Sequence, residues 1–149
     1  MDFAASAHTY PIVLAIHLSC IAVFGGMILM TNLRLLGWAL TDYPVSEIVG
    51  RLRAWKIAGF LIMAGCGFLL AGSEAGKYYA NTYFWVKMTL LALVALHALV
   101  FRRGVYRNAA KADDSSGTPR QAKVAAISSL ILWTGVLCAG RLIGYHILD

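Results

Sequence analysis

Four polar side chains with useful chemistry stand inside or near the ends of long apolar runs in this sequence: His17, Lys87, His97 and Arg141. Ionisable groups at membrane depth are costly, and they commonly mark a functional site. The apolar runs contain no aspartate or glutamate that would neutralise Lys87 or Arg141. This absence predicts that an anionic group other than protein is bound.

Haem is the cofactor that fits these residue types. Neutral imidazole is a natural axial ligand for haem iron, and four-helix bundles build cofactor sites from side chains on facing helices. His17 and His97 are the candidate ligands, and Lys87 and Arg141 would balance propionates. Six glycines would permit a close approach of the backbone to the flat faces: Gly25, Gly26, Gly65, Gly67, Gly140 and Gly144. The sequence therefore predicts one or two haem b groups.

The pairing of the histidines depends on their depth. At about 1.5 Å rise per residue, His17 lies roughly 10 Å into the first apolar run and His97 roughly 20 Å into the third. One haem bridging both requires the first helix to begin nearer Phe3. In the alternative, His17 pairs near the surface with His146 or His8, and His97 belongs to a second, inner site. The sequence leaves both arrangements open.

Each of these residues also has an ordinary structural interpretation. His17 and His97 would then hydrogen-bond neighbouring helices, and Lys87 and Arg141 would extend from helix ends towards water. The histidines at positions 8 and 146 would be interface residues.

The composition indicates that these residues lie in the apolar segments of a membrane protein. Of 149 residues, 60% are hydrophobic and only 13% are charged, whereas soluble domains have about 25% charged residues. The net charge of +6 comes from basic residues beside apolar runs, which is typical of membrane orientation and argues against nucleic-acid binding. Three cysteines lie within apolar runs without a C-x-x-C pair, so no disulfide or thiolate metal site is predicted.

The chain is predicted to be all-α, a single domain (residues 1–149) forming an integral membrane up-and-down four-helix bundle. Basic residues concentrate in the first and third connections, which predicts cytoplasmic connections, both termini on the outer, periplasmic side and location in a bacterial inner membrane. Residues 108–121 form a linker-like segment. The predicted spans are about 10–33, 57–72, 83–101 and 124–145.

A family resemblance rests on three groups of motifs. These are His17 with Phe24-Gly-Gly26 and Leu33-Arg-Leu-Leu-Gly37; Phe84-Trp-Val-Lys87-Met with His97; and Trp133-Thr-Gly-Val with Ala139-Gly-Arg141-Leu-Ile-Gly. They resemble small bacterial four-helix membrane proteins that are similar to the copper resistance protein D membrane domain and to haem-containing membrane protoporphyrinogen oxidases. In those oxidases an early histidine, and a lysine followed by a histidine on a later helix, mark the cofactor region. The resemblance implies b-type haem in a cytochrome-like bundle with His17, Lys87 and His97 at the cofactor.

The leading functional expectation is a membrane cytochrome b-like protein or subunit that moves electrons between a quinone or a periplasmic donor and a partner. Its surroundings would be the lipid bilayer and a redox partner or larger complex, with a homo-oligomer left open. One alternative is a cofactor-free structural or assembly subunit of a membrane complex. Another is a copper or small-solute transporter that uses methionines as soft ligands.

Overall fold

The computed structural model describes residues 9–73, 75–101 and 120–148, with side chains of the last helix described up to residue 145. Four of its helices are long and apolar enough to cross a membrane, as their length and composition require. The prediction of an all-helical membrane protein with four such helices is confirmed in this outline. His8 and residues 108–119 of the predicted linker lie outside the described residues. The helices are α1 (Thr9–Leu36), α2 (Val45–Ser73), α3 (Ala75–Ala80), α4 (Thr82–Phe101) and α5 (Arg120–Leu148).

The second helix differs most from its predicted span. It begins at Val45, twelve residues before the predicted start at 57, and it includes the charged residues Arg51 and Arg53. Arginine is a good helix former, so a polar segment at the edge of a membrane does not end a helix. Hydropathy marks where lipid ends, and it is a poor marker of where the backbone hydrogen bonds end.

A glycine in the left-handed region ends the first helix. Gly37 has φ +77°; its N–H donates to the Arg34 carbonyl, and the Trp38 N–H donates to the Leu33 carbonyl at 3.0 Å. These two bonds form a Schellman motif, which satisfies carbonyls that the helix leaves unpaired. The Arg34 Nε also donates to the Tyr43 carbonyl at 2.7 Å, tying the connection back to the helix end.

Two of the long helices are central and two are peripheral. α1 packs against α2 and α5, α5 also packs against α4, and the short α3 contacts both α2 and α4. The described part of α4 has no fully buried residue. It faces the other helices with one stripe of half-buried residues spaced three or four apart, as in coiled-coil packing. This stripe consists of Phe84, Lys87, Leu90, Leu91, Val94, His97 and Phe101.

Two apolar clusters hold the helices together. The middle cluster contains Phe24, Met63, Trp133 and Val136, with side chains of α4 packed against it. The Phe24 and Trp133 rings meet edge to face at 5.2 Å. The second cluster joins the end of α1 to the starts of α2 and α5, and consists of Leu35, Leu36, Val45, Ala122, Ala125 and Ala126.

The two ends of the molecule differ in composition. We call the end near the second cluster the basic end, because Arg34, Arg51 and Arg53 lie beside it. The opposite end is the tyrosine end, where the Tyr10 and Tyr78 hydroxyls approach to 3.5 Å. Candidate residues can therefore be located by their level between these two ends.

Candidate functional site

His17 is buried on α1, with only 8% of its surface exposed. Its ring approaches Gly67 of α2 through Cε1, which an added Cβ would meet at 3.1 Å. The backbone of Met63, one turn earlier on α2, is also close enough to interact with the ring as a hydrogen-bonding group. Nevertheless, the buried Nδ1 has no hydrogen-bond partner among the described residues.

Lys87 of α4 shares this level of the molecule. Its ammonium is close enough to act electrostatically on the His17 ring, and its Nζ lies 3.7 Å from the position of a Cβ at Gly140 of α5. Within the part of the chain that the structure describes, Lys87 has no hydrogen-bond or ion-pair partner. A half-buried cation beside a buried imidazole is thus left without an acidic group.

Each long helix contributes one residue to this level, which we call the His17 layer: His17, Gly67, Lys87 and Gly140. One heptad further along α1 lies Phe24 of the middle cluster, so the layer borders the packed core directly. Two of the four positions are glycines, and these let the long polar side chains lie against helix backbone. The layer therefore combines a buried nitrogen without a hydrogen-bond partner, a half-buried cation without an acidic partner among the described residues and a close approach of helix backbone.

Gly26 faces open space and Gly25 faces the core, so the approach of a haem face to Gly26 stays a prediction. A Cβ at Gly26 would meet nothing within 4 Å, whereas a Cβ at Gly25 would lie 2.9 Å from the Trp133 Nε1. Gly25 therefore makes room for an aromatic side chain of the core.

Arg141 lies on the outside of α5 and is not brought into the His17 layer. Its Nη2 donates to the Tyr145 hydroxyl at 3.0 Å, and its guanidinium carbon lies 4.5 Å from the centre of the same ring. This exposed arrangement fits a cation that reaches towards the membrane interface. His146 belongs to α5, but its side chain lies outside the described residues.

His97 has a different environment, nearer the basic end. Its Nε2 is 2.8 Å from the Ser128 Oγ of α5, and its ring packs against Phe101 at 4.7 Å between ring centres. His97 follows Lys87 by ten residues on α4, which corresponds to about 15 Å along the axis. The structure therefore brings His17 and Lys87 together, and it places His97 at another level with a partner of its own.

The surroundings of His97 form a second polar level, which sequence reasoning missed. Asn32 Nδ2 donates to the Ser129 Oγ at 3.0 Å, and Lys56 Nζ donates to the Thr31 Oγ1 at 3.2 Å. Polar residues within apolar runs were the available signal for this level. We call it the serine layer; it consists of Thr31, Asn32, Lys56, His97, Ser128 and Ser129.

Asn81 is the other residue that the sequence analysis missed. It is 3% exposed, and its Oδ1 accepts the Tyr83 N–H at 2.9 Å, which caps the start of α4. Its Nδ2 is buried without a hydrogen-bond partner. The two buried side-chain atoms of the described residues that lack a partner are this nitrogen and the His17 Nδ1.

The described residues contain no group of three or more His, Cys, Asp or Glu side chains able to hold a bare metal ion. A porphyrin carries its own four nitrogen ligands and needs only axial donors from protein. The unpartnered His17 nitrogen and the neighbouring Lys87 ammonium match an axial ligand and a propionate partner, so the residues of the His17 layer fit a haem.

Comparison with known proteins identifies a family but no activity. No curated protein and no solved structure is significantly similar to this chain. The resemblance to copper resistance protein D and to protoporphyrinogen oxidases therefore stays a prediction. A family model described as "Family of unknown function (DUF6644)" matches residues 7–146, which is nearly the whole chain, and the protein accordingly belongs to the DUF6644 family.

Proposed function

We propose that this protein is a membrane b-type cytochrome-like protein that binds haem in the His17 layer and transfers electrons to or from a membrane partner. One observation carries the proposal: a buried imidazole nitrogen without a partner lies within electrostatic range of a cation that has no acidic partner among the described residues. Unsatisfied polar groups in a low-dielectric interior cost free energy, and such a cost is commonly offset by a bound ligand.

In this proposal the His17 imidazole would bind the haem iron, and the Lys87 ammonium would balance a propionate. Haem supplies reversible one-electron chemistry when it is bound. The protein sets the reduction potential through burial of the site, through the axial ligand and through nearby charge. The contact of the ring Cε1 with Gly67 limits the movement of the imidazole, because a glycine position offers backbone rather than a mobile side chain.

The proposal assigns a single haem site. His97 is already hydrogen-bonded to Ser128, so recruiting it as a ligand would break a 2.8 Å contact. We therefore assign His97 to helix packing and Arg141 to the membrane interface.

The finer topology belongs to the same proposal. The four spans form an up-and-down bundle in a bacterial inner membrane, with the tyrosine end outside and the basic end in the cytoplasm. Basic residues near the end of α1 and the start of α2 support this orientation through the positive-inside rule. A quinone or a periplasmic donor would supply the electrons, and a docked membrane partner would accept them.

The direct test is an optical spectrum of the purified protein in detergent, oxidised and then reduced with dithionite, with haem quantified as the pyridine haemochrome. We expect a haem absorption spectrum, dominated by the Soret band, that disappears in His17→Ala. The matched control is His97→Ala, which removes the other mid-span imidazole and should keep the band. Loss of the band in both variants, with both still folded, would contradict the assignment of roles.

A cofactor-free structural or assembly subunit is the second candidate. It is favoured by the serine layer, in which polar side chains connect the helices without any ligand. Suppose that the protein is colourless after expression with sufficient haem and is still monodisperse and helical. This result would favour the structural or assembly role over haem binding.

A further inference from the structure

The buried amide nitrogen of Asn81 requires an explanation. Its side chain is almost fully buried, and capping α4 uses only Oδ1. An unmade hydrogen bond of a buried amide costs about 1–3 kcal/mol, and a cap does not require that cost, since serine or aspartate caps equally well. The amide donor therefore has a use that the cap does not explain.

The position of Asn81 connects it with the His17 layer. It starts α4, and Lys87 follows six residues later, about 9 Å further along the same helix. On α1, His17 lies seven residues beyond Tyr10, whose hydroxyl approaches Tyr78 just before Asn81. Asn81 is thus at the rim of the tyrosine end, one level outside His17 and Lys87.

The polar groups on α4 at these two levels are both donors. Lys87 offers an ammonium and Asn81 an amide N–H, and neither has an acceptor among the described residues. Carboxylate oxygens accept such bonds strongly, because charge assistance roughly doubles the strength of a hydrogen bond. An anionic group of the ligand at the tyrosine end would satisfy both donors together.

We propose that Asn81 is a ligand-binding residue whose amide donates to a carboxylate that Lys87 neutralises, so that the acidic edge of a membrane-soluble ligand faces the tyrosine end. This inference rests on the proposed function and deepens it: it adds Asn81 as a hydrogen-bond donor to the carboxylate that Lys87 balances and places that carboxylate at the rim of the site.

The test compares two porphyrins that differ only in this group. Full-length protein prepared without haem is titrated in detergent with haemin and with haemin dimethyl ester, in which both propionates are esterified. We expect wild type to bind haemin at least about tenfold more tightly than the ester, since a hydrogen bond to a charged group is worth about a factor of ten. In Asn81→Ser, which keeps a capping oxygen, this preference should fall by about tenfold.

Asn32→Ser is the matched control, because it removes an amide of the same kind from the serine layer. It should leave the preference for haemin unchanged. Equal affinity of wild type for the two porphyrins would overturn the carboxylate inference while haem binding itself stands. A preference lost in Lys87→Gln but kept in Asn81→Ser would remove Asn81 from the site. If neither porphyrin binds, the proposed function fails and this inference fails with it.

Discussion

The His17 layer and the serine layer contain the same kinds of side chain, but these side chains have hydrogen-bond partners in the serine layer and, among the described residues, lack them in the His17 layer. Each has one histidine and one lysine within membrane-length helices. In the serine layer Lys56 donates to Thr31 and His97 contacts Ser128. In the His17 layer the histidine nitrogen is unpartnered and Lys87 has no partner among the described residues.

The pairs of the serine layer follow the helix contacts. One side-chain pair joins α1 to α2, one joins α1 to α5, and one joins α4 to α5, and these are the three main contacts between long helices. A satisfied buried network specifies packing, whereas a partly satisfied one costs free energy without that benefit. The comparison therefore assigns helix association to the serine layer and ligand binding to the His17 layer.

The largest expected effect comes from crowding His17. In Gly67→Ala the new methyl lies 3.1 Å from the ring Cε1, so the imidazole must move by a few tenths of an ångström. Displacing the surroundings of a metal ligand typically costs about 10- to 100-fold in affinity, and we expect that loss in haem titrations. Gly65→Ala is the control, because a Cβ there meets nothing within 4 Å. Equal haem affinity of the two variants would break the distinction between the layers.

A smaller effect is expected in the core between the layers. Gly25→Ala brings a methyl to within 2.9 Å of the Trp133 Nε1, and overpacking of this kind costs about 1–3 kcal/mol. In Gly26→Ala the new methyl has no neighbour within 4 Å. This change should be neutral or stabilise the helix by up to about 1 kcal/mol. Unfolding in mixed detergent micelles measures both variants. A Gly25→Ala protein as stable as wild type would show that α1 and α5 are not held by this contact.

Asn32→Ala tests the serine layer as a structural device. It leaves the Ser129 hydroxyl without its amide donor, and we expect a loss of about 1 kcal/mol in unfolding free energy with haem affinity unchanged. Combining it with Ser129→Ala should cost less than the sum of the two single variants, because the pair shares one bond. A folded Asn32→Ala protein without pigment would mean that the two layers act as one site.

The smallest effect is expected for Ser128→Ala. Interhelical hydrogen bonds in membranes average about 0.6 kcal/mol, so removing the partner of His97 should lower the unfolding free energy by about that amount. The reduced spectrum should be identical to wild type. A shifted Soret band in this variant would instead connect His97 to the haem and contradict its packing role.

Much of the fold was accessible from hydropathy, and less of the site was. The four apolar runs predicted the four long helices, although the start of α2 was placed too late, because helix formers continue beyond the lipid boundary. His17 and Lys87 were singled out by type and are neighbours in the structure. Asn81 and the serine layer were missed, since an asparagine before a helix predicts a cap and gives no indication of its burial.

The sequence by itself determined which segments are apolar enough to span a membrane and which polar groups they carry, because both are local properties of composition. Only the tertiary structure decided which of these groups have partners. His97 meets Ser128 and His17 meets Gly67 because of the rotation and register of each helix against its neighbours. Those depend on packing contacts between residues far apart in the chain, such as Phe24 with Trp133, and no local pattern specifies them.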